Sequence, residues 1–211
     1  QITIGYKGRI AINLKISVGD SAHASAPWLA KNAIEESALF VNEIKAKLES
    51  GQENKTKGMM LTATITEIKG GLSHNVTPRE CDSTLDIRIP VDTNCKSVEE
   101  KISEAVKEIS KRREVEAFYS IIDETEPFEA EHNSPLVRAL TLAILDIEKN
   151  RPTLIRKTGT GDMNVIGNKL SIPVVTYGPG DPHAAHTIDE KISIDEYLRG
   201  IEVLKRTIQH L

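Results

Sequence analysis

The sequence has 211 residues and a formal net charge of -4, from 27 Lys and Arg against 31 Asp and Glu. That length holds one large or two small domains, and the charge leaves no whole-chain basic footprint, so no nucleic-acid partner is expected. No apolar run reaches the length of a membrane span and no leader-like stretch opens the chain; the two cysteines, Cys81 and Cys95, form neither a CxxC pair nor a disulfide frame, so a cytoplasmic setting without membrane is expected.

Gln1-Ile2-Thr3-Ile4 already alternates as a strand does, and with no Met ahead of it the start looks like the interior of a longer protein. Arg9–Val18 alternates apolar and polar residues, which predicts a half-buried strand. Pro27 suits the first turn of a helix, and 30–48 carries Ala30, Ile34, Ala38, Val41, Ile44, Ala46 and Leu48 on a helical period. Strands are predicted over 60–68, ended by Gly70-Gly71, and over 80–89, ended by Pro90. A helix over 98–109 follows, with Ser97 as its N-cap, and then a strand over 114–122. The order β-α-β-β-α-β from residue 9 to about 125 is the ferredoxin-like split βαβ arrangement, one sheet with two helices on a single face.

A polar stretch over 123–134 marks a boundary. Beyond it the spacing predicts a helix over 136–147, a short strand over 153–155, a Gly-rich loop over 157–162, a helical turn over 163–168, a buried strand over 172–177 and a closing helix over 193–211. Alternating strands and helices imply part of a parallel α/β layer, too small to close a core without neighbours.

The stretch Tyr177–Glu190, YGPGDPHAAHTIDE, leaves the last of these strands. A polar, Gly-punctuated loop at the end of a buried strand is where α/β sheets place their chemistry. His186 there is a candidate metal ligand, since neutral imidazole is the commonest one and a neighbouring carboxylate orients its second nitrogen; His183 competes with it, and one His is not a metal site. His23, between a strand and a helix, either points at a substrate or caps the helix. The connection Gly70–Pro78 is longer than a hairpin needs, so Asn75 either serves function or makes its own turn. Arg88 shares a strand face with Asp86, as an ion pair or as a fork for a substrate carboxylate. Lys157–Asp162, KTGTGD, resembles an anion nest but lacks the phosphate-loop order.

The succession is more specific than its members. GYKGR, AHASAP with KNAIE, GGxxxNVTP with LDIR, GTGDMN, then YGPGD with HTxDE resembles the M20 family of di-zinc amidohydrolases and peptidases. The resemblance covers essentially all 211 residues but only the later part of the family's chain. It implies an α/β fold: 1–7 as the end of a catalytic-domain segment, 8–125 as a ferredoxin-like lid that mediates a homodimer, and 126–211 as the C-terminal part of a zinc-peptidase-like catalytic domain. It also implies His186 as metal ligand, His23 as the lid residue that stabilises the oxyanion in a partner subunit's site, and Asn75, Arg88, Gly159, Thr160 and Asp162 as substrate-binding. Zinc, two ions per site in the whole enzyme, is the implied cofactor, with cobalt as an alternative. The forms KTGTxDMN and YGPGD…HTxxE point to the branch that releases lysine or ornithine, in lysine and arginine biosynthesis, from a small acidic amino-group carrier protein or an acyl-amino acid. The family's upstream metal ligands and general base are not found in this sequence, so the chain alone is expected to be inert. The rival readings are a non-catalytic dimerisation or binding module and a di- or tripeptidase of the same family.

Overall fold

The computed structural model describes residues 1–181, 184 and 187–211. They form two units, one made of Lys7–Pro127 with Thr158–Thr160, the other of Gln1–Tyr6, Phe128–Lys157 and Gly161–Leu211.

The second unit opens the chain with strand β1, Ile2–Tyr6. The first unit then runs β2 (Gly8–Ser17), α1 (Ala33–Glu49), β3 (Thr62–Gly70), β4 (Glu80–Ile89), α2 (Cys95–Arg113) and β5 (Glu116–Thr125). Its sheet has the order β3-β4-β2-β5, with every neighbouring pair antiparallel. This is the expected split βαβ fold. The longest ladder pairs β2 with β4 from Gly8↔Ile89 to Ser17↔Glu80. Period-2 alternation turns Ile10, Ile12, Leu14 and Ile16 of β2, and Leu85, Ile87 and Ile89 of β4, into one core with Phe40, Val41 and Ile44 of α1 and Val98, Ile102 and Ile109 of α2. Both helices therefore cover the same sheet face, and charged residues such as Arg9, Lys15, Asp86 and Arg88 line the other. Inside the core the hydroxyls of Ser37 and Ser83 satisfy each other at 2.7 Å.

Helix boundaries differ from expectation where caps decide them. Pro27 opens only a short 3-10 turn, Pro27–Leu29; α1 starts later because the Asn32 side chain accepts from the N–H groups of Ile34 and Glu35. α2 starts earlier than predicted because Asn94, not Ser97, is the cap, its Oδ1 accepting from Ser97 N at 2.8 Å.

The other unit adds β6 (Phe128–Glu129), α3 (Pro135–Glu148), β7 (Leu154–Lys157), α4 (Asp162–Leu170) and α5 (Ile194–His210). β1 lies between β6, antiparallel, and β7, parallel. Ile2 and Ile4 pack with Val137, Leu140 and Ile144 of α3 and Val203 of α5. The predicted buried strand over 172–177 is not formed. It makes one bridge, Thr3↔Thr176, and Ile172 is 46% exposed. β6 already occupies the same edge of β1 at Gly5 and Tyr6, which leaves Thr3 as the bridging position, and Pro173 brings no N–H to a ladder. Among the described residues no helix is long and apolar enough to cross a membrane.

Candidate functional site

His23 and Asn75 are 52 positions apart in the chain, yet a short ladder joins their segments. Ala24 N donates to Asn75 O at 2.8 Å, Thr77 N donates to Ala22 O at 2.9 Å, and His23 bridges Val76. The buried Thr77 hydroxyl locks the ladder by accepting from Ala22 N at 2.8 Å. Successive side chains of a ladder alternate in direction, so the pairing brings the two backbones into register without placing both side chains on one face.

Both side chains are exposed and locally oriented. Ser25 N donates to His23 Nδ1 at 3.2 Å, and the Ser25 hydroxyl lies 2.7 Å from the same nitrogen. An Nδ1 that accepts fixes the neutral ring with its proton on Nε2, so His23 offers an N–H donor outward. The Ser73 hydroxyl donates to Asn75 Oδ1 at 2.7 Å, which leaves the Asn75 amide N–H groups as what that side chain offers. A cleft of about 1380 Å³, bounded by Gly19, Ser21, Gly71, Ser73, Val76 and Thr77, opens at this end of the sheet.

Arg88 belongs to the other end. It stands beside Ile89, whose partner Gly8 begins β2, whereas the His23 loop follows Ser17, whose partner Glu80 begins β4. Eight residues of strand between Glu80 and Arg88 span roughly 27 Å. Arg88 Nε and Nη2 donate to the two Asp86 carboxylate oxygens at 2.5 and 3.1 Å, and Nη1 donates to Thr160 Oγ1 at 3.2 Å. The Thr160 hydroxyl donates in turn to Lys7 O at 3.0 Å. Lys7 is buried and its Nζ donates to Met60 O at 2.5 Å; burial first, and the Arg88 charge second, hold its pKa below the ordinary lysine value.

Gly159, the glycine of this loop singled out from sequence, is exposed, and a Cβ added there would meet nothing within 4 Å, so no close backbone approach demands glycine. Asp162 is the exposed first residue of α4 in the other unit. The N-cap there is Gly161, whose N–H donates to Asn164 Oδ1 at 3.1 Å. Asn164 is wholly buried and was not singled out from sequence, although Asn three residues past a glycine at a helix start is a readable signal.

The loop after residue 176 borders a cleft of about 1080 Å³ with Thr3, Lys157, Tyr177, Glu196 and Arg199 on its walls. Gly180 adopts φ +100°, a glycine conformation, and its N–H donates to Glu196 Oε1 at 3.0 Å. Burial, and then the Glu148 carboxylate, push the Tyr177 hydroxyl up to about 12. His183 and His186, the two candidate ligands of this loop, lie outside the described residues. Among the described residues one group of three metal-capable side chains gathers, Cys95, Glu124 and Glu126, in the first unit. Burial and those two carboxylates push the Cys95 thiol up to about 12, so it stays a thiol. The described residues do not by themselves compose a zinc site.

Residues 4–114 match the peptidase dimerisation domain of the M20 family. The whole chain is 32% identical over 213 aligned residues to the LysW-lysine/LysW-ornithine hydrolase of Saccharolobus solfataricus and covers 55% of it; it thus spans about half the length of the relatives it matches. In fold, 99% of the chain superposes on 53% of the aminopeptidase PepT from Bacillus cereus with a TM-score of 0.79 at 23% identity. The M20 family metallo-carboxypeptidase Sso-CP2 from Sulfolobus solfataricus gives 0.77 at 19% identity, over 99% of this chain and 59% of that one. The match to that domain over more than half of its length shows that this chain belongs to the M20 peptidase family.

Proposed function

We propose that this chain is part of a metal-dependent amide hydrolase that releases lysine or ornithine, in lysine and arginine biosynthesis, from a small acidic carrier protein or from an acyl-amino acid, and that residues 8–125 form its lid and dimerisation domain while 1–7 and 126–211 contribute to its catalytic domain. The likeness to a LysW-lysine/LysW-ornithine hydrolase supports the substrate class. The observation that carries the reading is the separation of His23 and Asn75 from Arg88 along β4. Roughly 27 Å is too far for one small substrate to touch both ends. A site that uses all three takes His23 and Asn75 from one copy and Arg88 from another, as a two-fold dimer allows.

In such a site the Arg88 fork holds the carboxylate of the released amino acid. The His23 Nε2–H donates to the oxygen that gains charge when the amide carbonyl becomes tetrahedral, and Asn75 helps to bind the substrate's carboxylate or reacting amide. Gly159, Thr160 and Asp162 line the substrate pocket in this reading. Zinc, with cobalt as an alternative, enters it through His186, with further ligands not found among the described residues. The buried free thiols of Cys81 and Cys95 support a reducing, cytoplasmic setting. Exposed apolar side chains on α5, among them Ile194, Leu204 and Ile208, support a further α/β layer packed against this unit.

The test compares three probes on the protein: lysine linked through a glutamyl amide to an acidic carrier, N-acetyl-L-ornithine, and a tripeptide. Fastest release from the carrier supports the proposal, and fastest cleavage of the tripeptide favours a peptidase. Stable dimers that hydrolyse none of the three overturn the enzyme reading in favour of a binding module.

A further inference from the structure

The geometry points to Asp86 as the positioning residue that sets Arg88 for a substrate carboxylate. The inference rests on the reading of Arg88 as a substrate ligand and goes beyond it by assigning what aims the guanidinium. Asp86 lies two residues before Arg88 on β4, on the same sheet face, and takes the Nε and Nη2 donors with its two oxygens at 2.5 and 3.1 Å. That contact uses the side edge of the guanidinium. Thr160 takes one Nη1 donor at 3.2 Å from a loop 72 positions away. Of five N–H groups, one on each terminal nitrogen remains, which is the number a carboxylate accepts side by side.

Asp86 is itself held. Arg9 Nε approaches it at 3.4 Å, and Arg9 Nη2 pairs with Asp123 at 2.6 Å. The register places Ala11 of β2 opposite both Asp86 of β4 and Asp123 of β5, so the row Asp123, Arg9, Asp86, Arg88 runs across three strands on the charged face. Arg9 Nε is buried and makes no hydrogen bond, so the row is joined there by charge and not by a further hydrogen bond. A long arginine stem otherwise samples many rotamers, and ordering it in advance removes that cost from binding. Isolated surface ion pairs contribute little to stability; a row that ends at a two-pronged donor serves orientation.

The experiment measures, by calorimetry on the whole protein, the affinity for N-acetyl-L-lysine relative to N-acetyl-L-lysinamide, which lacks the carboxylate. Wild type is expected to favour the carboxylate by about tenfold or more, the scale of a hydrogen bond to a charged group. Arg88→Ala abolishes the preference. Asp86→Asn reduces it to about threefold or less while the thermal midpoint stays near wild type, and Asp86→Glu keeps most of it. The double variant Asp86→Asn with Arg88→Ala shows no preference beyond that of Arg88→Ala, because one residue acts through the other. An undiminished preference in Asp86→Asn, beside its loss in Arg88→Ala, overturns the role of Asp86 alone. No preference in wild type overturns the reading of Arg88 and this inference with it. Should Asp86→Asn fail to fold, Thr160→Val removes the other anchor, and an unchanged preference there counts against anchoring.

Discussion

His23 and Arg88 stand at opposite ends of one four-stranded sheet, eight strand residues apart, although both belong to the same unit. A dimeric site that takes one from each copy makes a prediction about mixed dimers. Co-expressed His23→Ala and Arg88→Ala chains, each nearly inactive alone, form hybrids in which one of the two sites has both residues intact. With random pairing the mixture recovers about a quarter of wild-type activity. A mixture no more active than its parents counts against a shared site.

His23→Ala alone removes one outward donor. The expected loss in kcat is on the order of 10² to 10³, the range for deleting an oxyanion donor, with metal content unchanged. Steady-state kinetics beside elemental analysis reads both quantities, and near wild-type kcat refutes the role of His23. By the same analysis His186→Ala is expected to lower metal occupancy, and unaltered stoichiometry points to His183 instead.

Thr77 holds the ladder that carries His23. Its hydroxyl is the partner of Ala22 N at 2.8 Å in a buried setting. Thr77→Val keeps the shape and leaves that N–H without its acceptor, at an expected cost of about 1–3 kcal/mol. Urea unfolding measures it, and a cost near zero shows that the ladder stands without this bond.

Cys95 makes stability fall at alkaline pH. Its thiol is raised from 9.0 to about 12 by burial, then by Glu126 and Glu124. Below pH 9 both states hold the proton. Between 9 and 12 the unfolded chain releases it while the native chain keeps it, so native stability drops as pH rises through that window. Tyr177, raised from 10.0 to about 12, adds to the drop above pH 10. Denaturant midpoints from pH 8 to 11 are expected to decline in wild type and to decline less steeply in Cys95→Ala; parallel curves contradict the shift.

Two glycines separate a steric need from a chance occurrence. A Cβ on Gly8 would lie 2.5 Å from Pro127 N and 2.6 Å from Thr125 O, whereas one on Gly19 meets nothing within 4 Å. Gly8→Ala is therefore expected to cost about 1–3 kcal/mol, as overpacking does, and Gly19→Ala within about 0.5 kcal/mol. Equal midpoints for the two variants refute the packing argument.

The local signals in this sequence were sufficient for the fold class. Alternation over 80–89 marks β4 to the residue, because each of its inward positions enters a core that only that register buries. Helical spacing likewise marked α1, α2, α3 and α5, and the starts of α1 and α2 slipped by a few residues because Asn32 and Asn94 rather than the apolar period set them. The run 172–177 misled because its apolar residues resemble a strand, while strand formation depends on an edge being open.

By itself the sequence determined the split βαβ order, since periods of two and of 3.6 are properties of neighbouring residues. It also placed Asp86 and Arg88 on one face, because i and i+2 on a strand always share one. Tertiary structure alone decided that Thr160 reaches Arg88 from 72 positions away, that Thr77 locks the His23 segment from 55 away, and that β6 rather than 172–177 lies along Gly5 and Tyr6 of β1. Those pairings are choices among backbone edges distant in the chain, and they follow from which edges remain unpaired once the cores have closed.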